Sequence, residues 1–207
     1  MNMDFNLFTP TKLLFGRGKL NELGNQKLPG RKALLLISSG QSVKTSGTLD
    51  RVTAQLDKAG ATYVICNNIH ENPSKEVVME AAACAKGNGC DFILALGGGA
   101  VLDSAVAVAA MATNPGDLWD YASAGSGGRK PVSGAFPVVA ISTTAGTGTE
   151  ADPYAVVTNE ETNEKLDFTL DEIFPAISII DPELMLTLPH KLTLFQGFDA
   201  LFHASEC

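Results

Sequence analysis

Short apolar runs alternate with longer stretches of mixed character through most of this chain, and that alternation sets the expected fold. Ala33 to Ile37, Thr62 to Cys66, Phe92 to Leu96 and Phe136 to Ile141 are predominantly apolar at successive positions. Runs of this length are too short for stable helices and fit strands covered on both faces, the pattern of a parallel sheet. Between them Thr48 to Ala59, Lys75 to Lys86 and Ala100 to Ala112 read as helices, the first two stopped by Gly60 and Gly87. Asn72-Pro73-Ser74 supplies a loop and an N-cap ahead of the second helix. A recurring strand, turn and helix predicts an α/β fold, a Rossmann-like parallel sheet wound by right-handed crossovers. Ligands in such sheets collect at the carboxyl ends of the strands. Here those ends are polar or glycine-rich, at Ser38 to Ser42, Asn67 to Asn72 and Gly97 to Ala100.

The rest of the chain is read around that sheet. Met3 to Phe15 suggests an opening strand or hairpin ending at Gly16-Arg17-Gly18, and Asn114 to Pro131 an extended surface connection carrying Trp119 and Tyr121. Tyr154 to Thr158 and Ala176 to Ile180 read as further strands, with Glu164 to Phe168 in a charged hairpin between them. Asp181-Pro182 caps a short helix. Thr187-Leu188-Pro189 looks like a boundary, because proline disfavours helix in the residue before it, and from His190 the pattern turns helical. The expected division is a dinucleotide-binding α/β domain over 1–188 and a helical segment over 189–207.

Composition narrows the function classes. With 207 residues, 45% of them hydrophobic, the chain can bury a substantial core. A formal charge of −8 argues against nucleic acid or an anionic membrane as main partner, since the field repels phosphates except at local sites. No signal-like or bilayer-spanning apolar run is visible, so a cytoplasmic location is expected. Cys66, Cys84, Cys90 and Cys207 show no CxxC pairing and read as reduced packing residues.

Three stretches carry candidate chemistry. Gly97-Gly98-Gly99 joins a buried strand to a helix, where a phosphate can approach backbone N–H groups at the helix's positive end; a tight turn without ligand is the alternative. Ser142-Thr143-Thr144-Ala145-Gly146-Thr147-Gly148-Thr149-Glu150 offers hydroxyls to phosphate or ribose, or equally caps a helix start. At the end of the strand Ala33 to Ile37 no carboxylate is present to hold an NAD 2′-hydroxyl. Ser38, Ser39, Gly40 and Lys44 there lean the choice between NAD and NADP toward NADP. Asp199 and His203, four apart on a helix, can reach one divalent metal or simply form a surface ion pair.

In order and spacing, Gly97-Gly98-Gly99, Thr143-Thr144-Ala145-Gly146-Thr147-Gly148-Thr149-Glu150 and Phe198-Asp199-Ala200-Leu201-Phe202-His203-Ala204-Ser205-Glu206 resemble the iron-containing (group III) alcohol dehydrogenase family, its butanol dehydrogenase branch above all. Phe15-Gly16, Trp119-Asp120, Asp181-Pro182 and Leu188-Pro189 extend the resemblance along the chain. It implies the cofactor-binding half of a metal-dependent enzyme that interconverts primary alcohols and aldehydes by hydride transfer to or from nicotinamide. The chain ends where the family's helical domain has barely begun, with two further histidine ligands expected downstream, so these 207 residues alone are expected to be inactive.

The resemblance also implies roles residue by residue. Asp199 and His203 would ligate the metal, iron first, with zinc, manganese or nickel as alternatives. Gly97, Gly98, Gly99 and Ala100 would take the cofactor diphosphate, with Thr143, Thr144 and Thr147 lining the same cleft. Asn72 and Lys165 match cofactor-contacting positions, and Ser39 would lie near the adenosine ribose. Ala100, Val106 and Asp167 stand where the family usually has Ser, Lys and Gly. Those departures keep a non-catalytic dinucleotide-binding module in view, beside a polyol dehydrogenase relative. A dehydroquinate synthase-like lyase is argued against by the Thr143–Glu150 motif. The expected partners are a small alcohol or aldehyde and, through a face left bare of helices, a second copy of the chain.

Overall fold

The computed structural model describes residue 4, residues 8–169 and residues 171–206. The strands and helices are β1 (Lys12–Phe15), β2 (Lys32–Ser38), α1 (Ser42–Thr45), α2 (Thr48–Lys58), β3 (Thr62–Ile69), α3 (Lys75–Gly87), β4 (Phe92–Gly97), α4 (Gly99–Met111), β5 (Val138–Ser142), β6 (Tyr154–Asn159), β7 (Glu164–Thr169), β8 (Ile177–Ile180) and α5 (His190–Glu206). Six strands form one parallel sheet in the order β1-β8-β5-β4-β2-β3, a Rossmann-like α/β arrangement.

Period-two alternation divides the core between the two faces of this sheet. Ala33, Leu35, Ile37, Phe92, Leu94, Leu96, Val139 and Ile141 point to the side covered by α2 and the turn Lys19–Asn25. Leu34, Leu36, Ile93, Ala95, Val138 and Ala140 point to the side covered by α3 and α4. Every residue of β4 is buried, as expected of a central parallel strand between β2 and β5. Helix α4 is apolar almost all round because it has no solvent face: α3, the sheet and the antiparallel β6–β7 hairpin enclose it. Val106 is buried in this packing, on the interior side of α4.

The sequence-based boundaries differ at a few places. Of the stretch Met3 to Phe15, Met3 and residues 5–7 lie outside the described residues, and Lys12–Phe15 is a short edge strand beside β8. The segment Glu164 to Phe168 is itself a strand, β7, pairing residue by residue with β6. The Asp181-Pro182 pair has a structural reason: the fully buried Asp181 carboxylate accepts from the N–H groups of Gly18, Leu20 and Glu183, tying the turn after β8 to the turn after β1. Cys66, Cys84 and Cys90 are free thiols, and Cys207 lies outside the described residues. Burial pushes the Cys66 thiol up, opposite to what a nucleophile needs.

Candidate functional site

The strand order contains a switch point. From β2 the chain moves outward to β3, then returns past β2 to β4 and continues to β5 on the other side, so the turns after β2 and β4 lead away from each other. A crevice opens between them at the carboxyl ends. One cleft of about 390 Å³ runs along it, from Ser38, His70 and Glu71 past Gly98, Gly99 and Ala100 to Thr144 and Thr147, and reaches Gln196 and Asp199 on α5. Three turns far apart in sequence and the last helix therefore border a single space.

At its centre is the N-terminus of α4, whose first N–H groups have no intrahelical acceptor and carry the positive end of the helix dipole. Gly98 is the N-cap and makes no side-chain cap bond, so these donors remain directed at the cleft. The three glycines also serve internal packing. A β-carbon at Gly97 would lie 2.6 Å from Val101 Cγ2, at Gly98 2.9 Å from Thr144 Oγ1 and at Gly99 3.0 Å from Thr147 Cγ2. The space the glycines free is thus partly filled by the threonines of the Thr-Gly stretch, which brings hydroxyls against the α4 N-terminus.

That stretch does not start a helix. It runs as a loop from β5 toward the β6–β7 hairpin, so capping, one of the two roles read from sequence, is not its role. Thr144 and Thr147 line the cleft. Thr143, expected in the same cleft, borders instead a small cavity with Val43, Thr48, Leu184 and Leu188. Its backbone N–H prolongs the sheet toward Gly97 at 2.9 Å, and successive residues in extended chain point to opposite faces. Beneath the loop, Thr149 donates to Asp103 Oδ1 at 3.0 Å. Burial pushes the Asp103 carboxyl up to about 6; hydrogen bonds from Thr149 and Val156 pull the other way, nearby Asp152 adds to the rise and Lys165 opposes it.

At the β2 and β3 end, Ser38, Ser39, Gly40, Ser42, His70 and Glu71 line an adjoining cavity of about 560 Å³. The Ser39 hydroxyl is hydrogen-bonded to His70 Nδ1 at 2.9 Å. Nearby, Asn72 adopts a left-handed backbone (φ 53°) at the loop after β3, and its Oδ1 accepts from Lys165 Nζ of β7 at 2.7 Å. The two residues singled out by resemblance, 93 positions apart, are thus direct partners. Asp167, two residues on and on the same exposed face of β7, accepts from Thr169.

At the other end, His203 Nε2 stands 3.7 Å from Asp199 Oδ1 on one face of α5. Gln196, one turn earlier, accepts from the Ala145 N–H at 2.9 Å and so fixes α5 to the Thr-Gly loop. Asp152, whose carboxyl is pushed up by burial, lies close enough to His203 to be pulled back by it. The donor set fits part of a divalent-cation site, a carboxylate and an imidazole within reach of one ion. Among the described residues no group of three or more His, Cys, Asp or Glu side chains gathers into a fuller one. Sequence reasoning missed Asp103, Gly146 and Gln196, each of which acts only through a residue distant in sequence.

Comparison with known proteins gives a consistent picture. The family profile described as iron-containing alcohol dehydrogenase matches residues 10–182. The chain is 37% identical over 203 residues to the probable NADH-dependent butanol dehydrogenase 1 of Bacillus subtilis, covering 98% of this chain and 51% of that protein. With the NAD-dependent methanol dehydrogenase of Bacillus methanolicus it shares 36% identity over 202 residues, 97% of this chain and 52% of the other. The crystal structure of NADH-dependent butanol dehydrogenase A from Thermotoga maritima superposes with a TM-score of 0.91 at 38% identity, over 98% of this chain and 50% of that one. The chain spans about half the length of the curated relatives it matches.

Proposed function

The chain belongs to the iron-containing alcohol dehydrogenase family, and from that premise we propose that it forms the dinucleotide-binding part of an NAD(H)-linked, metal-dependent enzyme interconverting a primary alcohol and its aldehyde. The observation that carries the reading is the continuous cleft joining the α4 N-terminus, the threonine loop and Asp199. A bound divalent cation, iron by family, supplies a Lewis acid for the alcohol oxygen, and NAD+ supplies the hydride acceptor.

The chain's own residues do the positioning. Gly98, Gly99 and Ala100 present the α4 N-terminus to the diphosphate, with Thr144 and Thr147 as the facing wall. Ala100 brings no hydroxyl where the family resemblance implies Ser, so backbone N–H groups do more of the binding. The Asn72–Lys165 pair and Ser39 hold the adenosine side. Asp199 and His203 hold one side of the cation, and its remaining ligands come from outside the described residues. In the same reading 1–188 is the cofactor domain, α5 opens a helical one, and the enzyme works in the cytoplasm on small alcohols.

For the cofactor the reading takes NAD(H). The lean toward NADP rested on Ser38, Ser39, Gly40 and Lys44, but the Bacillus subtilis butanol dehydrogenase and the Bacillus methanolicus methanol dehydrogenase are named for NADH and NAD. The Glu71 carboxylate, which lines the cavity at the end of β2 where Lys44 does not, would repel a 2′-phosphate. Calorimetric titration of the full chain is the test: saturable binding of NADH, tighter than NADPH, is expected. No heat with either nucleotide would refute the reading. A non-catalytic binding module is the second reading, favoured by the two-ligand cation site. It predicts nucleotide binding with no alcohol oxidation when iron or zinc is added to the longest natural form of the protein.

A further inference from the structure

The β6–β7 hairpin buries Ala155, Val157 and Phe168 on the side of α4 and leaves Tyr154, Lys165, Asp167 and Thr169 exposed on its outer face. Lys165 stands opposite Thr158, Asp167 opposite Val156 and Thr169 opposite Tyr154. Both ends of this face are fixed relative to the cleft. At one end Lys165 Nζ donates to Asn72 Oδ1 at 2.7 Å. At the other, Asp152 leads into β6: its Oδ1 accepts from the Tyr154 N–H at 2.9 Å, its Oδ2 lies 3.7 Å from where a β-carbon of Gly148 would stand, and the charge of His203 reaches it. Between the two ends the Val156 N–H donates to Asp103, which lies behind Thr149.

The stretch of β7 from Lys165 to Thr169 covers roughly 13 Å, so the face runs from the adenosine side of the cleft toward Asp199 and His203. Charge changes sign along it. Lys165 comes first, then Asp167, whose Oδ2 accepts from the Thr169 hydroxyl at 3.3 Å, and Asp152 lies at the end. Asp167 is the carboxylate that stands where the family resemblance implies Gly. The dinucleotide carries a complementary change. Its diphosphate is anionic in both redox states, whereas the nicotinamide ring is cationic in NAD+ and neutral in NADH. Hydride passes between the ring and an alcohol carbon beside the cation, which puts the ring at the Asp199 and His203 end.

We propose that Asp152 and Asp167 are specificity-determining residues that read the redox state of the cofactor, their negative charge raising the affinity for NAD+ relative to NADH. The proposal rests on the dinucleotide reading above and adds a direction to it. A site that binds one state better shifts the equilibrium toward that state by the ratio of the affinities. Here the shift is toward bound NAD+, hence toward aldehyde reduction, in which aldehyde, NADH and a proton give alcohol and NAD+.

Calorimetric titrations of the full chain with NAD+, NADH and ADP-ribose test this on the wild type, Asp152→Asn, Asp167→Asn and the double variant, each checked by thermal melting. Asn keeps an oxygen to accept from the Tyr154 N–H or the Thr169 hydroxyl and removes only the charge. Each single variant is expected to raise the ratio of the NAD+ Kd to the NADH Kd about fivefold, the effect of a unit charge about 8 Å from the ring in a half-solvated site. The double variant is expected to raise it about 25-fold if the two charges act independently. ADP-ribose has no ring, so its Kd should follow that of NADH. A ratio unchanged in either folded variant overturns the proposal, and so does an ADP-ribose Kd that rises with that of NAD+, since the lost attraction is then not to the ring. If a variant does not fold, the wild-type ratio at low and high salt decides: screening of the two carboxylates should raise it severalfold, and a constant ratio overturns the proposal. A wild type that binds none of the three ligands overturns the dinucleotide reading itself, an outcome distinct from nucleotide binding whose NAD+ to NADH ratio ignores both carboxylates.

Discussion

A β-carbon at Gly146 would overlap Asp199 Oδ2, so the threonine loop and α5 meet where only glycine fits. Gly146 also has φ 125°, a conformation costly for any residue with a side chain. Gly146→Ala is expected to destabilise the fold by more than about 1 kcal/mol and to push Asp199 away from the cleft mouth. Thermal melting reads the first effect. Cation titration reads the second: affinity for a divalent metal falls in G146A and in D199A alike if Asp199 is a ligand, and an unchanged affinity in both would remove it from the site.

Gly98 makes a similar contact with Thr144, a threonine on the cleft wall. Gly98→Ala must shift Thr144 by several tenths of an ångström, narrowing the space before the α4 N-terminus. The expected result is a loss of about tenfold or more in NADH affinity, about 1.4 kcal/mol, with little change in melting temperature. Unchanged affinity would mean that the diphosphate does not sit there.

Asp103 imposes a pH dependence of known sign. Its folded carboxyl titrates at about 6, above the ordinary 3.8, so the folded state holds the proton more tightly than the unfolded one. Its neutral form stabilises the fold at low pH, and that contribution is lost as pH rises from about 4 through 6, up to about 3 kcal/mol in all. Denaturant unfolding across this range should show the fall in the wild type and its absence in D103N. Above pH 6 D103N is expected to be the more stable protein.

Glu164 has the opposite sign. Its carboxylate accepts from the Ser126 side chain and N–H and from Trp119 Nε1, and these donors, the Ser126 hydroxyl first, hold it down at about 2. The stability it contributes is present above its unfolded value of 4.5 and is lost as pH falls toward 2. Trp119, the single tryptophan, reports the change directly. Its emission should shift as pH drops through that window in the wild type, and Glu164→Gln should show the shifted spectrum already at neutral pH.

Much of this architecture is legible in the residue pattern. The buried strands at Ala33–Ile37 and Phe92–Leu96, the N-cap at Ser74 and the triglycine turn follow from local rules of burial, capping and steric freedom, and they reappear within a residue or two. The strand Glu164–Thr169 was hidden because its alternating charges read as a solvated hairpin; half of its face becomes interior only when the hairpin lies over α4. Thr143 was misplaced because the motif treats neighbouring threonines alike, whereas alternation in extended chain turns Thr143 and Thr144 to opposite sides.

By itself the sequence determined which segments become strands and helices, since those choices depend on periods of two and 3.6 residues and on glycine, proline and capping side chains within a few positions. It also determined the family, because the spaced motifs survive as a string. Only the tertiary structure decided which turns share a crevice, since strand order is set by crossovers that no local pattern encodes. It alone paired Asn72 with Lys165, Asp103 with Thr149 and Gly146 with Asp199. Hydrogen bonds and close contacts act over about 3 Å, and residues so far apart in sequence come within that distance only after the sheet has been wound.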